Sequence, residues 1–254
     1  MSILTTCSLL PIKTDDFRKY SGIAFDGCFF YLTSPQGCLV DKLDSCFENV
    51  ATIETCRGYT SICYDERERC FWAVAAEEVG KIFKLDRCFC EVGCIYIEDL
   101  PDNCSNVVGI AYDCKRDILV VAFPKMIIEI TKKGCGIRLI ETPRRTSTRS
   151  ILMIPPYYVA AYRGRYHQFI GIYDCEGQEI KRCRFPSKYV IEGLVYYSCC
   201  EGEEENYYIY ALAAKHCRYP YIVKLKLDLC YAGMELADCS NKLPVRENDP
   251  AETE

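Results

Sequence analysis

Histidine, tryptophan and methionine are scarce: the 254 residues hold two, one and four of them. His167 and His216 cannot furnish a histidine-rich metal centre, and neither stands in a Ser-His-Asp order or an H-E-x-x-H motif. G-x-S-x-G is absent as well. C-x-x-C never occurs although cysteine is abundant, so the paired ligands of a tetrahedral zinc site are missing. Neither a metal nor a cofactor is therefore expected. No run approaches the roughly 18 apolar residues of a membrane-spanning helix, so no membrane partner is expected. Helical periodicity is absent, as is any linker. The opening MSILTTCSLLPIKTDD lacks a basic segment and a long apolar stretch, so no signal peptide and synthesis in the cytoplasm are expected.

What remains is ordinary globular material, 50% apolar and 26% charged, with a net charge of −5. One domain over residues 1–240 is expected, followed by a disordered acidic tail at 241–254 that contains RENDPAETE. Two residue types are in excess, with 20 Cys and 20 Tyr.

The phrase KLDSC (42–46) returns as KLDRC (84–88) and KLDLC (226–230). It belongs to a larger repeat. SGIAFDGC at 21–28, TSICYDERERC at 60–70 and VGIAYDC at 108–114 align on Ile23, Ile62 and Ile110. RSILMIP at 149–155 and EGLVYYSCC at 192–200 follow on Ile151 and Leu194. Five units of roughly 40 residues result, at 20–58, 59–106, 107–148, 149–190 and 191–240. Each carries a short apolar strand A, a β-branched and aromatic strand B, such as FWAVA at 71–75, and an alternating strand C, such as KIFKLD at 81–86. A fourth, D, includes CIYIE at 94–98. Four antiparallel strands repeated at this period predict an all-β chain folded as a β-propeller of five four-stranded blades, with six as the alternative. The pattern resembles NHL-type and lactonase-type propellers, in which G-[IL]-x-[YF]-D opens a blade and [IV]-x-K-[LI]-D ends its third strand. The resemblance covers residues 20–240 and implies architecture, since such propellers serve as hydrolases, lectins, scaffolds and receptor parts. Either terminus could close the ring, SLLPIKTDDFRKY or MELADC.

In a propeller the A–B and C–D turns share one face. Cys28, Cys70, Cys114 and the pair Cys199–Cys200 fall at A–B turns; Cys46, Cys88, Cys135, Cys175 and Cys230 follow strand C. These ten make a candidate thiol rim. Inheritance from a cysteine-bearing ancestral blade, as small turn residues, explains them equally well. Two strand spacings, about 10 Å, separate the turns within a blade. That exceeds the ~7 Å Cα separation a disulfide tolerates, so cross-links between molecules are the sharper reading. Bent turns would be needed to join Cys28 to Cys46, Cys70 to Cys88 or Cys114 to Cys135. High Cys with high Tyr resembles spore-coat and exosporium proteins in composition, which implies deposition on a spore or cell-surface layer.

The opposite face gathers Lys125, Arg144, Arg145, Arg149, Arg163, Arg165, His167, Lys215, His216 and Arg218. These form a candidate anion site for a phosphate or acidic glycan; nucleic acid is not expected. A lactonase-type cation site needs Glu, Asn and Asp in the channel. Asp26, Asp65 and Asp113 recur with the repeat and fit turn caps better. Three inward carboxylates would suit a glycosidase; Glu192 and Asp113 qualify and no third is evident. The reading is a non-catalytic structural or interaction propeller that self-associates through thiols or binds another protein. The alternatives are a ligand-binding propeller using the basic face and a metal-dependent hydrolase.

Overall fold

A computed structural model describes residues 4–12, 18–98, 100, 106–142, 146–164, 167–185, 189–201, 204–215 and 218–227. The chain begins with β1 (Leu4–Pro11) and then runs in hairpin-linked fours. Blade 1 is β2 (Gly22–Phe25), β3 (Phe30–Ser34), β4 (Leu39–Leu43) and β5 (Asn49–Glu54). Blade 2 is β6 (Tyr59–Asp65), β7 (Cys70–Ala75), β8 (Lys81–Leu85) and β9 (Glu91–Tyr96). Blade 3 is β10 (Gly109–Asp113), β11 (Ile118–Ala122), β12 (Met126–Ile130) and β13 (Gly136–Glu141). Blade 4 is β14 (Ser147–Ile154), β15 (Tyr157–Arg163), β16 (Gln168–Tyr173) and β17 (Glu179–Phe185). Blade 5 is β18 (Tyr189–Glu201), β19 (Glu204–Lys215) and β20 (Arg218–Leu227), with β1 as its outermost strand.

The fold is thus a five-bladed propeller, and its N-terminal strand closes the ring: Leu10 pairs with Ile222 and Thr5 with Lys226. MELADC lies outside the described residues, as does the 241–254 tail. The inner strands β2, β6, β10, β14 and β18 touch in that order, and β18 returns to β2.

A four-stranded sheet has two apolar faces, so each blade buries both against its neighbours. Leu152, Val159 and Ile170 of blade 4 pack on Leu194, Ile209 and Val223 of blade 5. Ile23, Ile62 and Ile110, the anchors of the repeat, are buried in such interfaces.

A five-membered ring is narrow, and the residue before each anchor is small: Gly22, Ser61, Gly109, Ser150 and Gly193. A Cβ on Gly193 would stand 2.8 Å from Ile23 Cγ2, and one on Gly109 would stand 2.9 Å from the Ile151 nitrogen. Ser61 fits because its Oγ accepts the Ile110 N–H at 3.2 Å. Gly193→Val should therefore destabilise the protein by about 1–3 kcal/mol through overpacking, read as a lower midpoint in urea unfolding.

The KLDxC phrase has a physical reading. Leu43, Leu85 and Leu227 are buried, each contributing about 1.5–3 kcal/mol. Lys42 stands over the Phe29 ring at 3.7 Å and Lys84 over Trp72 at 5.5 Å. Asp44 Oδ1 accepts the backbone N–H groups of Cys46 and Glu48, both at 2.9 Å. Asp86 repeats this with Cys88 and Cys90 at 2.8 Å. Cysteine gives the turn only its backbone N–H, and nothing in the turn demands a thiol.

Candidate ligand-binding site at the channel mouth

Every inner strand begins with a bulge. Ser21 N donates to Thr33 O at 3.0 Å although Gly22 already faces Thr33. Val108 N donates to Ala122 O at 2.8 Å beside the Gly109–Ala122 pair. Register shifts leave Thr60, Arg149 and Glu192 as the extra residues in blades 2, 4 and 5. A bulge re-aims its side chain. Ser21, Thr60, Val108, Arg149 and Glu192 are each half-buried, whereas the residues on either side of each are buried. These five therefore form a ring at one end of the channel, where the D–A connections enter.

The ring is polar and incompletely bonded. Ser21 Oγ, Thr33 Oγ1, Thr148 Oγ1 and Arg149 Nε are buried atoms without a hydrogen-bond partner among the described residues, and all lie toward this end. Native proteins seldom leave such groups unpaired. Burial pushes the Glu192 carboxyl above the usual range, while Arg149 and Lys19 from the flanking blades draw it back. Arg18 and Tyr20 both bind the buried Asp41 carboxylate, which leaves Lys19 between them, exposed.

Gln168 braces the bulge. Its Oε1 accepts Ile191 N at 3.0 Å and its Nε2 donates to Tyr189 O, so blade 4 grips the backbone entering Glu192. Chemically, the ring offers a guanidinium for an anion, hydroxyls of either role, and a carboxyl whose raised pKa suits it to hold a proton closer to neutrality.

Of the predicted anion residues, Arg149 stands in this ring. Lys125 is exposed on a loop held against β14 by Thr148 N donating to Pro124 O at 2.9 Å. Arg163 is exposed too, and His167 lies against Arg184, 2.7 Å from its Nδ1, with Phe169 edge-on. Arg144, Arg145, Arg165 and His216 lie outside the described residues, as do the side chains of Lys215 and Arg218. Ser21, Thr60 and Val108 were missed from sequence. Their signal was position, two residues before each aligned Ile or Leu.

The opposite end is different. Cys28, Cys46, Cys88, Cys135 and Cys175 are exposed free thiols. Cys70 departs from the expected rim: it is buried, and burial pushes its thiol up to about 11. Cys114 is buried and disulfide-bonded. Cys28, Cys46, Cys70, Cys88 and Cys135 being free, none of the three in-blade bridges forms. The side chains of Cys199, Cys200 and Cys230 lie outside the described residues. Asp26, Asp65 and Asp113 cap turns: Asp113 Oδ1, for example, accepts Lys115 N at 2.9 Å, and Arg116 occupies its other oxygen. Asp113 is thus no channel carboxylate. Asp65, Glu68 and Cys70 bring three ligand atoms within 4.8 Å of one another, a grouping the sequence did not reveal. The Lys132 ammonium already bridges the two carboxylates, at 2.6 and 3.0 Å, and a cation would have to displace it.

No family model matches the chain, and no curated protein matches it. Solved structures do. The glutaminyl cyclase of Myxococcus xanthus is 12% identical, with a TM-score of 0.63 over 92% of this chain and 97% of that one. A tail fibre of Staphylococcus aureus phage P68 is 12% identical, with a TM-score of 0.61; the match covers 91% of this chain and only 54% of the fibre. Kuenenia stuttgartiensis hydrazine synthase matches at 15% identity and a TM-score of 0.48, over 83% of this chain and 67% of that one. At these identities the likeness is one of fold. The expectation of a non-catalytic chain is corrected nonetheless. The cyclase has this fold over nearly its whole length, so the propeller itself does not set this chain apart from enzymes.

Proposed function

We propose that this propeller captures a small acidic ligand, carrying a carboxylate or a phosphate, at the channel mouth ringed by Ser21, Thr60, Val108, Arg149 and Glu192. The observation that carries the reading is the buried, unpartnered Arg149 Nε within a ring of re-aimed side chains. Lys125 and Lys19 add positive charge around the opening and favour anion approach.

Sulfate, which keeps its charge across the accessible range, is the probe for calorimetric titration. Glu192 faces Arg149 and Lys19, and once ionised it repels a bound anion. Its pKa is raised, so affinity is strongest at acid pH, declines as pH rises through that pKa, and levels off above it. Glu192→Gln is expected to flatten the profile. A profile unchanged by that substitution, or no sulfate binding at any pH, contradicts the reading.

A second reading rests on the exposed free thiols Cys28, Cys46, Cys88, Cys135 and Cys175, which suit cross-linking into a surface layer. Cys175 is slowed by its Glu176 hydrogen bond, which raises its thiol pKa and lowers the reactive thiolate fraction. Oxidised protein is expected to form polymers on a non-reducing gel that collapse with reductant. Alkylation should block all five and spare Cys70. Oxidised protein that stays monomeric in light scattering opposes this reading.

A further inference from the structure

The ring has a composition that an inorganic anion does not use. It holds one cation, one carboxyl, two hydroxyls and one apolar side chain: Arg149, Glu192, Ser21 with Thr60, and Val108. A bare anion at Arg149 is repelled by Glu192 once that carboxyl is ionised. Among the described residues Glu192 and Arg149 make no salt bridge with each other, so both remain open to a ligand. We infer that the mouth selects a sugar acid, a ring of hydroxyls bearing one carboxylate or phosphate, with the acid on Arg149 and a ligand hydroxyl donating to Glu192. This rests on the anion-binding reading above and names its ligand class.

The neighbours decide what sits on Glu192. Lys19 and Arg149 flank it from blades 1 and 4. A third cation between them meets repulsion, so the ligand group there is a neutral donor rather than an ammonium. Ser21 Oγ has no partner and can donate or accept. Thr60 Oγ1 spends its hydrogen on Val74 O at 3.1 Å and offers its lone pairs to another hydroxyl. Val108 is the one member suited to the C–H face of a sugar ring. Polar edge, acid and apolar face are thus matched around one opening.

The test is a calorimetric panel at one pH and ionic strength on the full chain: glucuronate, glucose 6-phosphate, sulfate, glucose and glycine. At least one sugar acid is expected to bind about tenfold more tightly than sulfate, which one well-made hydrogen bond to a charged group supplies. The two sugar acids distinguish carboxylate from phosphate. Glu192→Ala should erase the margin over sulfate, and Thr60→Val should reduce it, each checked for an unchanged unfolding midpoint. Should only one variant fold, that one carries the test. Sulfate binding as tightly as both sugar acids overturns this inference and leaves the anion site standing. Glycine binding more tightly than either also overturns it. Failure of sulfate and both sugar acids to bind at all removes both readings.

Discussion

Asp65→Ala is expected to lower the unfolding temperature by roughly 10 °C, corresponding to about 3 kcal/mol in a chain of this size. Asp65 is fully buried and accepts the Arg67 and Glu68 N–H groups at 3.0 and 3.1 Å. Its other oxygen takes the Trp72 indole at 3.2 Å and the Lys132 ammonium at 2.6 Å. Alanine strands the buried indole and leaves two amides of a part-buried turn without their acceptor; the unmet indole donor is the expensive part. Lys132 falls back on Glu68 and Asp117, at 3.0 and 2.5 Å, which limits the damage. Asp65→Asn keeps an acceptor for the turn and should lose less. Calorimetric melting measures both; a midpoint for Asp65→Ala within about 2 °C of wild type would contradict this account of the turn.

Arg149→Ala is expected to weaken sulfate binding by about 10- to 100-fold, the worth of a charge-assisted pair at a partly desolvated site. Arg149→Lys should recover only part, because a lysine lacks the planar fork. The same alanine variant is expected to melt at the wild-type temperature or above. Its buried Nε has no partner in the unliganded protein, so removing it relieves a desolvation cost. Affinity falling while stability holds is the pattern of a binding residue. Loss of both together points to a structural role instead.

The architecture was legible because the repeat writes it several times over. Apolar anchors at Ile23, Ile62, Ile110, Ile151 and Leu194 keep their order, and the small residue ahead of each reports the crowded ring. Closure was not legible. Both terminal segments read as outer strands, and only the register of β1 against β20 distinguishes them. The mouth is half legible: the sequence presents Arg149 as a loop base and Glu192 as an inward acid. A bulge inserts one residue and shifts the alternation by one place, as where Tyr59 and Ser61 pair with the consecutive Ala75 and Val74, so Ser21, Thr60 and Val108 carry no periodic signature. Repeat position locates Cys70 along the chain; it does not say which way a strand's first side chain turns. It turned inward, into the core with Trp72.

The most direct measurement is where an anion lodges. In a crystal soaked with selenate, the anomalous signal is expected within hydrogen-bonding distance of the Arg149 guanidinium, inside the ring of Ser21, Thr60, Val108 and Glu192. Selenate found only on outer loops, beside Lys125 or Arg163, with the mouth empty, would contradict the account.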